Sequence, residues 1–227
     1  MRTHKDIKKQ KEKTSLALIE AALELCSEEG YASLSLRSVA RKAKIAPTSF
    51  YRHFRDIDEL GVAMVDNGAI VLNEWLGRLI DKMSFTKIEN DSLNILTQFI
   101  ENFTVSFAKS FIDYMKNNEY LLRLFFQERT GSSEALRNSI SNSEKKLTEK
   151  LSKHLHKIDQ ELKIGFEDIS LISETMLRIA SSDGLEMIIK HDIQNNDIVN
   201  HLIQKLSIFL LGASSYNLFK KGENGES

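Results

Sequence analysis

The stretch "IAPTSFYRHF", residues 45–54, carries the side chains of this chain best suited to contact an anion. At about 100° per residue, Phe50 and Phe54 fall on one side of a helix and the polar residues on the other. Arginine pairs bidentately with guanine, and hydroxyl groups reach bases or phosphates. The pattern predicts a DNA-reading helix, although an ordinary solvated helix face would carry a similar set. The candidate DNA contacts are Thr48, Ser49, Arg52 and His53, with Tyr51 on the flank.

The residues before this stretch predict two helices that would position it. Apolar residues recur at helical spacing before Gly30, which favours a helix end. Ser35 is a suitable cap for a second helix, and Pro47 stands where the first turn of a third helix tolerates proline. Two short helices joined by the three-residue turn 44–46 form a helix-turn-helix.

Charge is distributed unevenly along the 227 residues, although the formal net charge is only −1. Residues 1–55 hold twelve Lys or Arg against six Asp or Glu, a balance of +6. The remaining residues hold nineteen against twenty-six, a balance of −7. A basic N-terminal quarter on an acidic body indicates an anionic partner for that quarter.

Residues 33–60, "SLSLRSVARKAKIAPTSFYRHFRDIDEL", closely resemble the DNA-binding domain of TetR-family transcriptional regulators. The Phe-Tyr-x-His-Phe ending and the Asp-x-x-Glu-Leu start of the next helix are the most specific marks. Within that family, "ASLSLR", "IAPTSFYRHFRD" and "LLRLFFQERTGSSEALR" (residues 121–137) are similar to the FabR and DesT group of fatty-acid biosynthesis repressors.

The resemblance implies an all-α protein of about nine helices, with a helix-turn-helix DNA-binding domain at 10–60 and a ligand-binding and dimerisation domain at 61–222. Arg37 and Tyr51 would reach phosphates, although a surface ion pair explains Arg37 equally well. Lys44 stands where the family usually has glycine, so a left-handed backbone there would cost about 1 kcal/mol. Ala46 occupies the usual position of a hydroxyl cap.

The first thirteen residues are polar and are predicted to be disordered at the tip. Four of their lysines could follow the duplex or its minor groove as an arm, but for each one a solvated tail residue is the more ordinary interpretation. These are Lys8, Lys9, Lys11 and Lys13.

An Asp-x-x-Glu capping box at Asp56 and Glu59 predicts a fourth helix that runs to about residue 81. A fifth helix, about 90–117, carries phenylalanines at a spacing of four, which indicates either plain core packing or the wall of a tunnel for a long hydrocarbon. The resemblance favours the tunnel. The predicted ligand pocket is Phe99, Phe103, Phe107, Phe111, Leu122, Phe125, Phe126 and Arg129.

A sixth helix (about 119–130) and a seventh (about 133–156) follow. The sixth carries Arg123, Glu128 and Arg129. Arginine at a pocket mouth could hold the phosphates of coenzyme A or of a carrier-protein prosthetic group. Ion pairs between Glu128 and either arginine explain the cluster as well.

The last two helices, about 167–190 and 197–220, are apolar on more than one face and contain the small-residue clusters "SSDG" and "GASS". Helices of this kind need a second partner. In TetR-family proteins the last two helices form the dimer, so the resemblance implies a homodimer on a palindromic operator.

One cysteine, Cys26, excludes an intramolecular disulfide and is expected to fill the first helix as a small apolar residue. Neither a signal peptide nor a membrane span is evident, so a cytoplasmic protein is expected. Enzyme motifs are not evident either: His154 and His156 lie about 200° apart on a helix and cannot share a metal. No catalytic residue, metal or cofactor is predicted.

The sequence therefore predicts a transcriptional repressor whose effector is a long-chain acyl thioester, carried by coenzyme A or by acyl carrier protein. In the FabR and DesT group, unsaturated chains favour the repressing form. The alternatives are a TetR-type sensor of another hydrophobic compound and, in a different class, a helical acyl-lipid carrier without DNA binding.

Overall fold

The computed structural model describes residues 3–82, 92–190 and 196–223, and the regular elements in these ranges are nine α-helices and one 3₁₀ turn. The all-α prediction is confirmed. None of the helices in these ranges is long and apolar enough to cross a bilayer. The helices are α1 (His4–Glu29), α2 (Leu36–Lys42), α3 (Pro47–Phe50), α4 (Ile57–Lys82), α5 (Ser92–Asn117), α6 (Glu119–Glu128), α7 (Glu134–Leu162), α8 (Ile169–Lys190) and α9 (Asn196–Glu223), with the 3₁₀ turn at Tyr31–Ser33.

The chain divides into two compact units. The first unit is Met1–Val71 with Asn118–Ser143, and the second is Leu72–Asn117 with Glu144–Ser227. Helices α4 and α7 each contribute to both. The first unit therefore includes α6 and the start of α7, which lie far from α1–α3 in sequence. The domain boundary expected at residue 60 stays a prediction.

The core of the first unit joins the second half of α1 to α2, α3, α4, α6 and α7. Its fully buried side chains include Leu18, Phe50, Met64 and Leu136. Cys26 is buried in the same cluster, and burial raises the pKa of its thiol to about 12. The prediction that Cys26 fills the helix as an apolar residue is confirmed.

Residues 1–13 were predicted to be polar and disordered at the tip, but the described part is helical from His4 onwards; residues 1–2 lie outside the described residues. Thr3 caps the helix: its Oγ1 accepts from the Asp6 amide at 3.2 Å, and its own amide donates to Asp6 Oδ2 at 2.9 Å. The prediction relied on the missing apolar stripe. It did not weigh this capping box or the helix-favouring lysine, glutamine and glutamate side chains that follow.

The start of α4 is fixed to the rest of the first unit by the Tyr31 hydroxyl. That hydroxyl donates to the Ile57 carbonyl at 3.1 Å and to Asp58 Oδ1 at 3.0 Å. Ser133 Oγ donates to the same carboxylate oxygen at 2.9 Å. Gly61 permits the approach, since a Cβ there would lie 2.5 Å from the Tyr31 hydroxyl. These contacts set where α4 leaves the helix-turn-helix.

The cap of α4 differs in one respect from the predicted capping box. The Glu59 amide donates to Asp56 Oδ1 at 2.7 Å, as predicted. The Glu59 carboxylate instead accepts from the amide of Arg55 at 2.6 Å, one residue before the expected partner, and it also pairs with the Arg55 side chain at 3.0 Å. The guanidinium of Arg55 draws the carboxylate there, and both hydrogen bonds still close the N-terminus of α4.

The second unit is built around α5, which packs against α8 and α9. Gly184 of α8 lies against α5, because a Cβ there would meet the Met115 side chain at 2.7 Å. Thr104 of α5 shares a 3.1 Å hydrogen bond with Ser207 of α9. Lys205 Nζ of α9 reaches the buried Asp183 of α8 at 2.6 Å. These polar contacts align the helix pair that the sequence assigns to dimerisation.

Helix α7 is six residues longer than predicted, ending at Leu162 instead of about residue 156. Leu155 and Ile158 are buried and continue its apolar face. The helix ends where Lys163 adopts a left-handed backbone (φ 54°). Just beyond it, the amides of Gly165 and Phe166 donate to Asp159 Oδ1 at 2.8 and 3.0 Å. The prediction ended the helix where its charged residues cluster, but the buried face runs on beneath them.

Candidate functional site

The helix-turn-helix is closed by a Schellman motif at the end of α2. The Ile45 amide donates to the Ala40 carbonyl at 2.9 Å, and the Lys44 amide donates to the Arg41 carbonyl at 3.1 Å. Lys44 itself has a φ of 57°, in the left-handed region that glycine tolerates best. Lys44, which the sequence analysis expected to strain the turn, therefore adopts the left-handed backbone conformation. Ala46 stands at the N-cap of α3, as predicted, followed by Pro47.

Replacing Lys44 by glycine is expected to raise the free energy of unfolding by about 0.5–1 kcal/mol, because glycine has no Cβ to oppose a positive φ. Lys44→Ala is the matched control: it removes the same charge but retains a Cβ. Urea unfolding followed by circular dichroism compares the two. An equal shift in both variants would assign the effect to the charge and would contradict backbone strain at this position.

The segment after Pro47 places its aromatic and polar side chains as the helical period predicts. Phe50 and Phe54 are buried with their ring centroids 5.8 Å apart. Helix α3 ends at Phe50, earlier than predicted, but the amides of His53 and Phe54 still donate to the Phe50 carbonyl at 2.8 and 3.0 Å. The backbone thus stays helical enough to keep the two faces apart. We call residues 47–53 the reading segment.

The outward face of the reading segment combines exposed and half-buried groups. Thr48, Tyr51 and Arg52 are exposed, whereas Ser49 and His53 are half-buried. Burial lowers the pKa of His53, and the positive charges of Lys11 and Arg52 lower it further. His53 is therefore neutral near pH 7 and offers one hydrogen-bond donor and one acceptor. Arg37, at the start of α2, is exposed as well.

Two cations of the first unit are occupied by carboxylates of the same unit. Lys42 Nζ lies 2.6 Å from Glu24 Oε1 on α1, and Arg55 pairs with Glu59. These side chains fasten helices to each other. Of the six DNA contacts predicted from the sequence, all lie on α2 or the reading segment, which are joined by the closed turn. The structure brings these six residues into one compact unit.

Residues 18–64 match the family model described as "Bacterial regulatory proteins, tetR family". The match runs from the buried half of α1 through the helix-turn-helix into α4. Three solved structures share the fold over most of the chain. The first is a putative TetR-family transcriptional regulator from Syntrophomonas wolfei str. Goettingen, with a TM-score of 0.65, 15% identity and coverage of 88% of this chain and 96% of that one.

The other two are FadR regulators. FadR from Bacillus subtilis, determined in complex with stearoyl-CoA, has a TM-score of 0.66 at 16% identity and covers 87% of this chain and 98% of that chain. The fatty acid degradation regulator FadR from Bacillus halodurans has a TM-score of 0.65 at 16% identity, covering 87% and 94%. At these identities the similarity shows the fold.

The closed helix-turn-helix has the arrangement of a DNA-binding motif of that class. Residues 18–64, which contain it, are similar to the DNA-binding domain of the tetR family of bacterial regulatory proteins, and the rest of the chain shares the fold of solved TetR-type regulators.

The four phenylalanines of α5 form a single buried row in the second unit. Successive ring centroids are 5.3, 6.1 and 6.1 Å apart along Phe99, Phe103, Phe107 and Phe111. Trp75 of α4 packs edge-on against the last two rings at 5.8 and 5.7 Å and donates its indole N–H to the Ser110 carbonyl and hydroxyl. Such a row suits both a core and the wall of an acyl site.

The other predicted pocket residues belong to α6 in the first unit, together with Arg129 just after it. Leu122 and Phe125 are buried, and Phe126 is half-buried. Arg123 forms an ion pair with Glu119, one helical turn before it, at 2.9 Å. The sequence had offered Glu128 as the partner of this arginine. The spacing i, i+4 with glutamate first favours Glu119. Burial raises the pKa of Glu128.

Helices α8 and α9 present an apolar groove of about 400 Å³ to the outside of the second unit. Leu171 and Ile208 along it are 58% and 72% exposed, and Tyr216 is 54% exposed. Gly212, Ala213, Glu167 and Asp168 are among its lining residues. The sequence predicted that these two helices need a partner but did not show which of their apolar residues are exposed. The i, i+4, i+8 spacing of Ile208, Gly212 and Tyr216 is the signal that could have shown this face.

Within residues 3–82, 92–190 and 196–223, no group of three or more His, Cys, Asp or Glu side chains is placed to hold a metal ion. His154 is half-buried, while His156 lies on the exposed side of α7 and contacts Gln160 at 3.0 Å.

Proposed function

We propose that this protein is a TetR-type transcriptional regulator, a homodimeric repressor that responds to long-chain acyl thioesters and controls genes of fatty-acid biosynthesis. The observation that carries the effector assignment is the buried row of four stacked phenylalanines beside Trp75. An all-apolar wall of this length suits a hydrocarbon chain, whose burial is favourable in proportion to its area. The thioester carrier is coenzyme A or acyl carrier protein.

The fold neighbours support the effector class and suggest a second target pathway. FadR from Bacillus subtilis was determined with stearoyl-CoA bound. FadR from Bacillus halodurans is described as a fatty acid degradation regulator. Biosynthesis genes follow from the FabR and DesT resemblance, and degradation genes are the second candidate that these neighbours favour.

Homodimerisation through α8 and α9 is part of the same proposal. The groove with Leu171 and Ile208 exposes apolar side chains that water does not favour, and Gly212 leaves room for a close helix crossing. A two-fold dimer would present two reading segments to successive major grooves about 34 Å apart, so the operator is expected to be palindromic.

Regulation requires that the effector bind the DNA-competent and incompetent arrangements with different affinity. Helix α4 starts at the helix-turn-helix and continues into the second unit, where Trp75 contacts the phenylalanine row. We expect occupation of the row to change the position of α4 and hence the spacing of the two reading segments.

The test is a fluorescence-anisotropy titration of the purified protein onto duplexes from its own gene neighbourhood and from promoters of fatty-acid synthesis and degradation genes. It is run without effector, with oleoyl-CoA and with stearoyl-CoA, and with free coenzyme A as the control. Trp75 is the only tryptophan, so its emission reports binding beside the row independently of DNA. A tenfold difference in operator affinity between effectors would correspond to about 1.4 kcal/mol of coupling.

Operator binding that changes with an acyl-CoA but not with free coenzyme A is the expected result, together with a change in Trp75 emission. Binding that ignores both acyl chains, with unchanged Trp75 emission, would overturn the acyl assignment and leave a regulator of another hydrophobic compound. A change in Trp75 emission without salt-dependent DNA binding would instead favour an acyl-lipid carrier.

A further inference from the structure

The first turns of α1 extend beyond the core of the first unit. Core residues of α1 begin at Leu18, and Thr14 and Ser15 are half-buried, whereas residues 5–13 are exposed. At 1.5 Å per residue, residues 4–13 form a helical segment about 15 Å long. We call residues 4–13 the α1 extension. It is a continuous part of α1, so the Cα–Cβ directions of its residues follow the helical period.

The helical register sorts the lysines of the extension into two faces. Measured from Leu18 at about 100° per residue, the buried residues of α1 fall between roughly −60° and +100°. Lys11 lies at about +20° and Lys8 at about +80°, on the continuation of that buried face. Lys9 and Lys13 lie at about 180° and 220°, on the opposite face. The buried residues that define the arc are Leu18, Ile19, Ala21, Ala22, Leu25 and Cys26.

The face that carries Lys8 and Lys11 continues the buried face of α1, which packs against α2, the 3₁₀ turn and α6. Leu18 shares its core cluster with Phe50 and Phe54, which anchor the reading segment from inside. The line from Leu18 back to Lys11 therefore leaves the core cluster that also holds Phe50 and Phe54. Besides burial, the positive charge of Lys11 lowers the pKa of His53, which agrees with a position of Lys11 near the reading segment.

The composition of the extension suits a polyanion. Residues 5–13 hold five lysines against two acidic residues, Asp6 and Glu12. Lysine favours the helix by its intrinsic propensity, but a positive charge in the first turn opposes the helix dipole. Ile7 lies at about −20°, next to Lys11 on the same side of the helix. It is 58% exposed and can pack on a deoxyribose.

We infer that the α1 extension is a second DNA-binding surface, in which Lys8 and Lys11 contact backbone phosphates that flank the bases met by the reading segment. The inference rests on the DNA-binding function and adds a sequence-independent contact outside the helix-turn-helix. Lys9 and Lys13 face away from the duplex.

The experiment compares two double variants of the full chain with equal charge changes, Lys8→Gln/Lys11→Gln and Lys9→Gln/Lys13→Gln. Anisotropy titrations at 50–300 mM KCl on an operator duplex and an unrelated duplex give the slope of log affinity against log salt. Each lost phosphate contact lowers the magnitude of this slope by about 0.9, so Lys8→Gln/Lys11→Gln should lower it by about 2 for each bound helix-turn-helix. The affinity of this variant for both duplexes should fall by the same factor. Circular dichroism checks that α1 remains folded.

A slope that falls in the Lys8/Lys11 variant and changes by less than half as much in the Lys9/Lys13 variant would support the inference. Equal slopes in both variants and the wild type would overturn it while leaving operator binding intact. Equal losses in both variants would also overturn it, since a general field effect does not distinguish the faces. A wild-type protein without salt-dependent binding would overturn DNA binding itself.

Discussion

Replacing Phe50 by alanine is expected to lower the free energy of unfolding by about 3–5 kcal/mol, the usual cost of removing a fully buried phenylalanine. Phe50 is completely buried and packs against the ring of Phe54 at 5.8 Å. Native domains are stable by only about 5–15 kcal/mol, so the variant loses a large share of this margin. Urea unfolding followed by far-ultraviolet circular dichroism measures the change.

The neighbouring Tyr51→Ala variant is the matched control for that measurement. Tyr51 contacts the Phe50 ring edge-on at 6.1 Å but is 63% exposed. Its loss should change stability by less than about 0.5 kcal/mol, as for most surface positions. Operator affinity should nevertheless fall about fivefold per half-site, since one hydrogen bond to phosphate contributes about 1 kcal/mol. The opposite pattern, with Phe50→Ala stable and Tyr51→Ala unstable, would contradict the assignment of the two faces.

The second large effect is expected at the groove on α8 and α9. Ile208→Glu places a carboxylate on the apolar face once in each subunit of the proposed dimer. Each unpaired charge costs at least about 1–3 kcal/mol on burial, so the dimer dissociation constant should rise about 100-fold or more. Sedimentation velocity over a range of protein concentrations measures this constant. Operator affinity should fall in parallel, because a monomer has only one reading segment.

Ile70→Glu provides a control with the same chemistry at another exposed isoleucine. Ile70 is 59% exposed on α4 in the first unit, compared with 72% for Ile208. This variant should have the oligomeric state of the wild type. If Ile208→Glu also remains dimeric, or if Ile70→Glu dissociates as readily, the dimer interface does not lie on the α8–α9 groove.

The sequence was sufficient wherever the cause is local. Ser35 caps α2, with its side chain accepting from the Ser38 amide, and Pro47 opens α3, because capping and proline geometry depend on residues within one turn. The faces of the reading segment followed from the helical period alone. The local prediction failed at the start of α1, because it did not consider the capping box formed by Thr3 and Asp6.

The helical period alone could not show which lysines near the N-terminus lie on the side of α1 that continues its buried face. Lys8, Lys9, Lys11 and Lys13 are equivalent in composition and differ only in their direction relative to the core. That direction became defined when Leu18 was found in one cluster with Phe50 and Phe54, which lie more than thirty residues away. In the same way, no sequence pattern indicated that α6 and the start of α7 pack with the helix-turn-helix unit.

The sequence by itself determined that the described residues are helical, where the helices lie except for the start of α1 and the end of α7, and that residues 47–53 have one buried and one polar face. Only the tertiary structure decided which apolar residues of α9 lie in the core. Leu202, Leu206 and Leu210 are fully buried, whereas Ile208 and Tyr216 remain largely exposed. An apolar residue has the same transfer free energy on every face of a helix, so burial is selected by the neighbouring helices, here α5 and α8, and not by the residue type.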